Sequence, residues 1–588
     1  MNILGISCYY HDSAAALVRD GRVVAAAEEE RLSRIKHDRA FPARAAEFCL
    51  RRGGITARDL DYAVFYERPF AKFERILTTA IGAFPASREF FAEAMIGWMQ
   101  EKLWIKSKLM SALGLPAERI LFADHHVSHA ASAFFCSPYR SAALLTVDGV
   151  GEWSTATWGT GEADWDGSGR NSIVLRREMR FPHSLGLLYS TFTAFLGFEV
   201  NEGEYKVMGM APYGEPRYLD RVEKIARVAG DGSLELDLSY FRFQSSIRVP
   251  YSPRFVELFG EPRPPESEFF VSGAEHAAEA LRRNRHYADV AASIQRFTED
   301  VLLKMARALR RDTGEEDLCF AGGVALNSMA NGRIVRESGF RSVFVQPAAG
   351  DSGGALGAAL YVCHAVLGAR RSFVMEDAYL GESYDEQIAP FLREQGIGAE
   401  VFHDDDKLIT AVTGELVSGK VIGWFQGRFE WGPRALGNRS ILADPRRAEM
   451  KDVVNTKIKF REPFRPFAPV IAETEAPRYF EVPEHQLGGY LARYMLVVHP
   501  WRRDAGERLP AVNHMGTGRL QTVRPEWNPR YHRLLETFGQ ATGTPVLLNT
   551  SYNLRGEAMV ATPADALKTF RNSGLDVLVL GNCVLKKQ

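Results

Sequence analysis

Long apolar runs, paired cysteines and a net charge are what this chain of 588 residues lacks. No stretch offers the ~20 consecutive apolar residues a bilayer span needs. Met1 to Val18 has no basic segment followed by an apolar run and is interrupted by His11 and Asp12, so no secretory signal is expected there. The six cysteines (Cys8, Cys49, Cys136, Cys319, Cys363, Cys583) show no C-x-x-C spacing. That argues against a disulfide framework or zinc ribbon and fits a reducing cytoplasm. Lys and Arg total 72 against 73 Asp and Glu, leaving no net field to recruit nucleic acid or an acidic membrane. A cytoplasmic protein that works on small ligands is the expectation.

The length is too great for one core and predicts two large domains, or two plus a small one. A buried strand is predicted over 2–8, then a hairpin, 14–18 and 23–27, about Asp20-Gly21. The same grammar returns at 142–147, the turn Asp148-Gly149-Val150-Gly151-Glu152, and 154–158, which suggests two related halves. Between them, residues 87–113 are rich in Phe, Met and Trp and read as core or a homodimer surface. Residues 289–310 carry apolar side chains at helical spacing, and a short strand at 318–320 leads into Gly322-Gly323.

His125 and His129 stand four apart, which on a helix puts two imidazoles on one face, able to share a metal. Asp148, where a strand runs into a glycine turn, and Asp351, at an apparent helix start, are acidic partners for that pair. Two His and two carboxylates suit iron, manganese or zinc. The spacing alone leaves alternatives: His126 competes as ligand, and Asp351 also suits a helix cap.

Gly322-Gly323, and Asp351-Ser352-Gly353-Gly354 further on, are two small-residue helix starts that allow close backbone approach to a nucleotide. After Ala369-Arg370-Arg371-Ser372 the composition changes, and a separate C-terminal domain is expected from about Ala378. It holds the densest cationic constellation: residues 425–440, with Arg434 and Arg439 among glycines, and 455–469, with Lys457, Lys459 and Arg465 among prolines and phenylalanines. Guanidinium forks match phosphate oxygens, and the interleaved aromatics favour a pocket over a solvated face. Residues 518–523 and 546–553 read as strands with polar ends that include Arg519, Asn549, Ser551 and Asn553.

In order along the chain, Gly5-Ile6 to His11-Asp12-Ser13-Ala14, the His125 to His129 segment, Asp148-Gly149, Glu204-Tyr205-Lys206-Val207-Met208-Gly209, Gly322-Gly323 and Gly350-Asp351-Ser352-Gly353 resemble the NodU/CmcH family of O-carbamoyltransferases. The likeness runs nearly end to end. It implies an α/β protein: a duplicated actin/sugar-kinase/Hsp70-like N-terminal domain over 1–368, similar to the tRNA threonylcarbamoyl transferases, and a YrdC-like C-terminal domain over 378–588. It implies that His125, His129, Asp148 and Asp351 hold a metal, Fe(II) or another divalent ion such as Mn or Zn, with His11 beside the reacting carbamoyl group. Asp12, Lys206, Gly322, Gly323 and Asn327 would line the N-terminal nucleotide or carbamoyl site. Arg434, Arg439, Lys457 or Lys459, Arg465, Arg519, Asn549, Ser551 and Asn553 would surround carbamoyl phosphate and ATP with Mg. The implied reaction makes a carbamoyl adenylate and passes its carbamoyl group to a hydroxyl of a small natural product or sugar. Two rivals remain at this stage: an actin-like kinase or hydrolase, and a tRNA-modifying protein using its basic C-terminal segment.

Overall fold

The computed structural model describes residues 1–167, 169–246, 248–273 and 276–587. Two five-stranded sheets repeat one plan. The first comprises β1 (Asn2–Ser7), β2 (Ala14–Arg19), β3 (Arg22–Glu28), β4 (Tyr62–Phe65) and β5 (Ile120–Phe122), in the order β3-β2-β1-β4-β5. The second comprises β6 (Ser141–Val147), β7 (Ser154–Glu162) and β8 (Ser172–Arg180). A small hairpin follows, β9 (Ala226–Val228) with β10 (Leu234–Leu236), before β11 (Asp317–Ala321) and β12 (Ser342–Phe344) complete the order β12-β11-β6-β7-β8. In each sheet the first strand pairs antiparallel with the second and parallel with the fourth. This duplicated βββαβαβ arrangement is the actin/sugar-kinase plan that the recurring strand and turn grammar predicts.

The last strand of each sheet leads to a helix, His125–Phe134 in the first half and Asp351–Tyr361 in the second. The two pack directly on one another, because the second is built from small residues. A Cβ on Gly357 would lie 1.8 Å from the Ser128 carbonyl oxygen. Backbone approach this close brings the first turns of both helices to one point beside the end of β6, where Asp148 follows.

The aromatic stretch forms two helices, Arg88–Gln100 and Ile105–Leu113, within an insertion between β4 and β5. Trp98 and Leu109 are buried there, whereas Met99 and Trp104 face outward, so the stretch is core on one side only.

The C-terminal part carries its own nine-stranded mixed sheet: β13 (Glu400–Val401), β14 (Ile422–Phe425), β15 (Arg439–Ala443), β16 (Ala468–Ala472), β17 (Val497–Pro500), β18 (Thr517–Val523), β19 (Val546–Ser551), β20 (Val577–Leu580) and β21 (Cys583–Lys586). Their order is β13-β21-β20-β14-β15-β19-β16-β18-β17. Neighbouring residues alternate between two cores, as the period of two requires. Leu442, Val470 and Leu547 pack under helices Asp405–Val417 and Pro529–Thr542. Ile441, Ile471 and Leu548 pack under Asp385–Glu394 and Pro563–Arg571. The largest core of the N-terminal part also takes in Phe429, Trp431, Phe464 and Tyr494, so apolar packing runs continuously between the two parts. Among the described residues no helix is long and apolar enough to cross a membrane.

Candidate metal centre and anion pocket

Asp124 opens the helix that carries both histidines, and the His125 backbone N–H donates to the Glu152 carboxylate at 3.0 Å. His125 and His129 are buried, with Nε2 atoms 3.0 Å apart. His125 Nε2 lies 2.9 Å from Asp148 Oδ2 and 3.7 Å from Asp351 Oδ1. His129 Nε2 lies 3.6 Å from each of the same two oxygens. One ligand atom from each of the four side chains lies within 4.8 Å of the others. The sequence-predicted quartet is therefore brought together.

His126 is not part of it. Its Nδ1 meets Thr146 Oγ1 at 2.6 Å and its Nε2 the Ser154 carbonyl at 2.8 Å. Burial pushes its pKa down to about 3, so the ring is neutral and structural. Asp351, offered as a helix cap, shows no side-chain capping bond. Its Oδ2 instead accepts from the Tyr66 hydroxyl at 3.4 Å, and Asp148 Oδ1 accepts from the Gly323 N–H at 3.0 Å.

The donor set fits a divalent ion on its own chemistry. Two imidazole nitrogens facing one another at 3.0 Å, each beside the same two carboxylates, concentrate lone pairs at one buried point. Both Nδ1 atoms are buried without a hydrogen bond among the described residues, His125 Nδ1 lying 3.9 Å from Glu67 Oε2. The surplus negative charge is legible in the proton affinities. For His129, burial favours the neutral ring, but Asp148 and Asp351 outweigh it and push its pKa up to about 9. Asp351 and Asp148 are held low despite their burial, through His11 and His125 for the first and His125 and His129 for the second.

His11 stands at the edge of this centre, with Nδ1 2.9 Å from Asp12 Oδ2 and Nε2 3.8 Å from Asp351 Oδ2. Burial opposes its protonation, yet Asp351 and Asp12 together push its pKa up to about 9. Asp12 also holds His37 through Nδ1 at 2.7 Å, and burial fails to keep its carboxyl from falling far below the usual range. Asp12 thus orients histidines rather than standing free for a nucleotide.

A cavity of about 620 Å³ joins this centre to the C-terminal cations. His11, Asp148, Asp351, Gly323 and Asn327 line one end, and Arg434, Lys459, Arg461, Arg465 and Arg519 the other, with Asn549, Ser551 and Asn553. Arg434 and Arg519 have a buried Nε without a partner. Burial lowers both, Arg434 to about 10, with neighbouring Arg465 adding to the pressure. Glu462 pairs with Arg465 at 3.5 Å, while no ion pair is formed by Arg434, Arg461 or Arg519 among the described residues, a cluster with the chemistry to bind an anion.

Several expected contacts are placed differently. Arg439 does not reach the cavity: its guanidinium donates to the carbonyls of Gln426, Asn438, Gly427 and Ala561 and stacks over Phe425, so it ties loops together. Lys457 is exposed and lies off the cavity wall, whereas Lys459 lines it. Lys459 Nζ is itself engaged with oxygens of Ser551 and Asn553 and orders that edge. Asn327 caps the helix Ser328–Glu337 and exchanges two hydrogen bonds with Gln295, leaving its amide occupied. Gly322 adopts φ +94°, and a Cβ there would meet the Val147 carbonyl at 2.2 Å, so its role is the turn itself. Lys206, expected at the N-terminal site, pairs with Glu462 at 3.0 Å. Sequence reasoning missed Arg461, present in the cationic run but not singled out, and Tyr205, whose ring lies 4.7 Å from the Arg465 guanidinium. It also missed Glu28 and Arg31, which grip the Gly432 N–H and carbonyl from the other half of the chain.

Residues 2–360 match the family model described as carbamoyltransferase N-terminus, and residues 413–587 the one described as carbamoyltransferase C-terminus. A Synechocystis protein, sll1178, is 44% identical over 100% of this chain and 97% of its own length. Nodulation protein NolNO of Sinorhizobium fredii is 36% identical over 99% of this chain and 79% of its own. The 3'-hydroxymethylcephem-O-carbamoyltransferase of Amycolatopsis lactamdurans is 35% identical over 49% of this chain and 52% of its own. Among solved structures, HypF from T. kodakarensis aligns over 63% of this chain and 48% of its own at 14% identity, with a TM-score of 0.31.

Proposed function

The chain belongs to the carbamoyltransferase family, and from that premise we propose that it is an ATP-dependent O-carbamoyltransferase with carbamoyl phosphate as donor and a small hydroxyl compound as acceptor. The labour divides between residues 1–368, which carry the transfer site, and 378–588, which carry the activation site.

At the C-terminal end of the cavity, Arg434, Arg461, Arg465 and Arg519 neutralise the crowded phosphates of carbamoyl phosphate and ATP. Carbamoyl phosphate gives up inorganic phosphate to water, the carbamate oxygen attacks the α-phosphate of ATP, and pyrophosphate leaves. The products are carbamoyl adenylate, pyrophosphate and phosphate. At the N-terminal end the acceptor hydroxyl attacks the carbamoyl carbon, and AMP departs as a carbamate ester forms.

Asp12 holds His11 Nδ1, so Nε2 is the nitrogen turned toward the centre and takes the acceptor's proton when the ring is neutral. His125, His129, Asp148 and Asp351 would hold a divalent ion, Fe(II), Mn or Zn, whose positive charge lowers the proton affinity of the groups around it and polarises a bound oxygen.

The observation that carries this reading is the single cavity lined by both residue sets. A carbamoyl adenylate is labile in water, and a shared enclosure lets it move without release. Purified protein incubated with carbamoyl phosphate, MgATP and Fe(II), Mn or Zn should yield pyrophosphate and carbamoyl-AMP by mass spectrometry. A phosphorylated product in their place would argue for a kinase.

A further inference from the structure

The helical insertion between β4 and β5 carries cations that neither the metal centre nor the anion pocket uses. Lys72 and Arg75 stand three apart on the helix Pro69–Gly82 and so share a face. Lys72 Nζ lies 4.7 Å and Lys102 Nζ 5.9 Å from the centre of the Tyr10 ring, and the Arg75 guanidinium lies 5.1 Å from that of Phe181. Tyr10 precedes His11, and the two rings are 4.6 Å apart. The cluster therefore borders the transfer site, outside the cavity that holds the C-terminal arginines.

The acids nearby are taken. Glu67 pairs with Lys72 at 2.6 Å, Glu101 pairs with Lys108 at 3.2 Å, and Glu152 accepts the backbone N–H groups of Arg68 and His125. Arg75 and Lys102 are left without an ion pair or a hydrogen bond among the described residues. Arg75 is only 7% exposed; its Nε is sealed from solvent, and its Nη atoms keep contact with it. Tyr10, by contrast, is 41% exposed, so a small molecule can reach this corner. A guanidinium held this deep is costly unless an anion meets it.

Resting on the reading of this chain as an O-carbamoyltransferase with His11 at the transfer step, we propose that Arg75 receives an acidic group of the acceptor, with Lys102 adding charge across Tyr10. The substrate class is then a hydroxyl compound that bears a phosphate, sulfate or carboxylate. The acceptor lies against the exposed part of Tyr10, which adjoins both His11 and the cations. Its hydroxyl faces His11 while its acid meets Arg75. A neutral or cationic acceptor leaves the guanidinium unpaired.

The test reads Lys102 itself. Burial and neighbouring Lys72 push its pKa down to about 8, so near neutrality a dilute acylating reagent labels it, and an anion bound beside it raises that pKa and slows the labelling. Peptide mass spectrometry should show several-fold slower labelling of Lys102 with sulfate, glucose 6-phosphate or glucuronate, and no change with glucose or glucosamine. Arg75→Met, its fold checked by circular dichroism, should lose that protection, and Arg75→Lys should keep part of it. From an equimolar mixture of the four sugars with MgATP and carbamoyl phosphate, any carbamate ester should form on an acidic sugar. Labelling that no anion slows overturns the proposal, as does protection that survives Arg75→Met, or a carbamate formed in preference on glucose or glucosamine. A wild-type protein that makes no carbamoyl-AMP in the absence of acceptor would overturn the carbamoyl-transfer reading beneath it instead.

Discussion

Lys206 Nζ lies 3.0 Å from Glu462 Oε1, an ion pair that joins the helix Glu204–Met210 of the N-terminal half to a loop of the C-terminal pocket. Tyr205 beside it faces the Arg465 guanidinium, so this helix of the N-terminal half lines the cavity beside the C-terminal cations. The two halves are built to enclose one space.

Breaking that contact should separate the two steps. Lys206→Met removes a partly buried pair worth about 1 kcal/mol, too little to unfold the chain. Pyrophosphate release should persist while carbamate ester per pyrophosphate falls several-fold, as adenylate escapes to water. Equal loss of both products would show that Lys206 serves only the first step.

Metal content distinguishes the ligands from their neighbour. His125→Ala or His129→Ala should drop bound metal from about one ion per chain to near zero by elemental analysis, with the fold retained by circular dichroism. His126→Ala should keep the metal and lower the melting temperature, because it strips partners from buried Thr146 and the Ser154 carbonyl.

The same centre sets a pH dependence. The pKa of His129 in the folded, metal-free chain lies at about 9, above the ordinary 6.5. Its protonated ring therefore adds stability that is full below pH 6.5 and is lost as pH rises through about 9. A metal must displace that proton, so apparent metal affinity should rise by up to about tenfold per pH unit and level off above pH 9. Titration calorimetry from pH 6 to 10 checks this. A flat profile would mean that His129 gives up no proton to the ion.

Arg519 and Arg439 should fail in different ways. Arg519→Ala removes a cavity cation and should weaken carbamoyl phosphate binding about ten- to a hundredfold at nearly unchanged stability. Arg439→Ala leaves several buried carbonyls without a donor and should cost about 3 kcal/mol of stability, read by denaturant titration.

The sequence exposed those features whose geometry is local. Four-residue spacing fixed the His125 and His129 faces, and the repeated strand and turn pattern revealed the duplication. Arg439 misled because a guanidinium among glycines reads alike whether it faces a phosphate or clamps backbone carbonyls; only the burial of β15 decides. The ion pair of Lys206 could not be read from the sequence, because its partner, Glu462, lies 256 positions away in the other half of the chain.

The most direct test of activation and transfer in one enclosure follows carbamoyl-AMP by mass spectrometry in the wild-type protein, His129→Ala and Arg519→Ala, each given MgATP and carbamoyl phosphate without acceptor. Adenylate in the first two and none in the third is the predicted pattern. No adenylate in the wild-type protein with any divalent ion, or undiminished adenylate in Arg519→Ala, would contradict it.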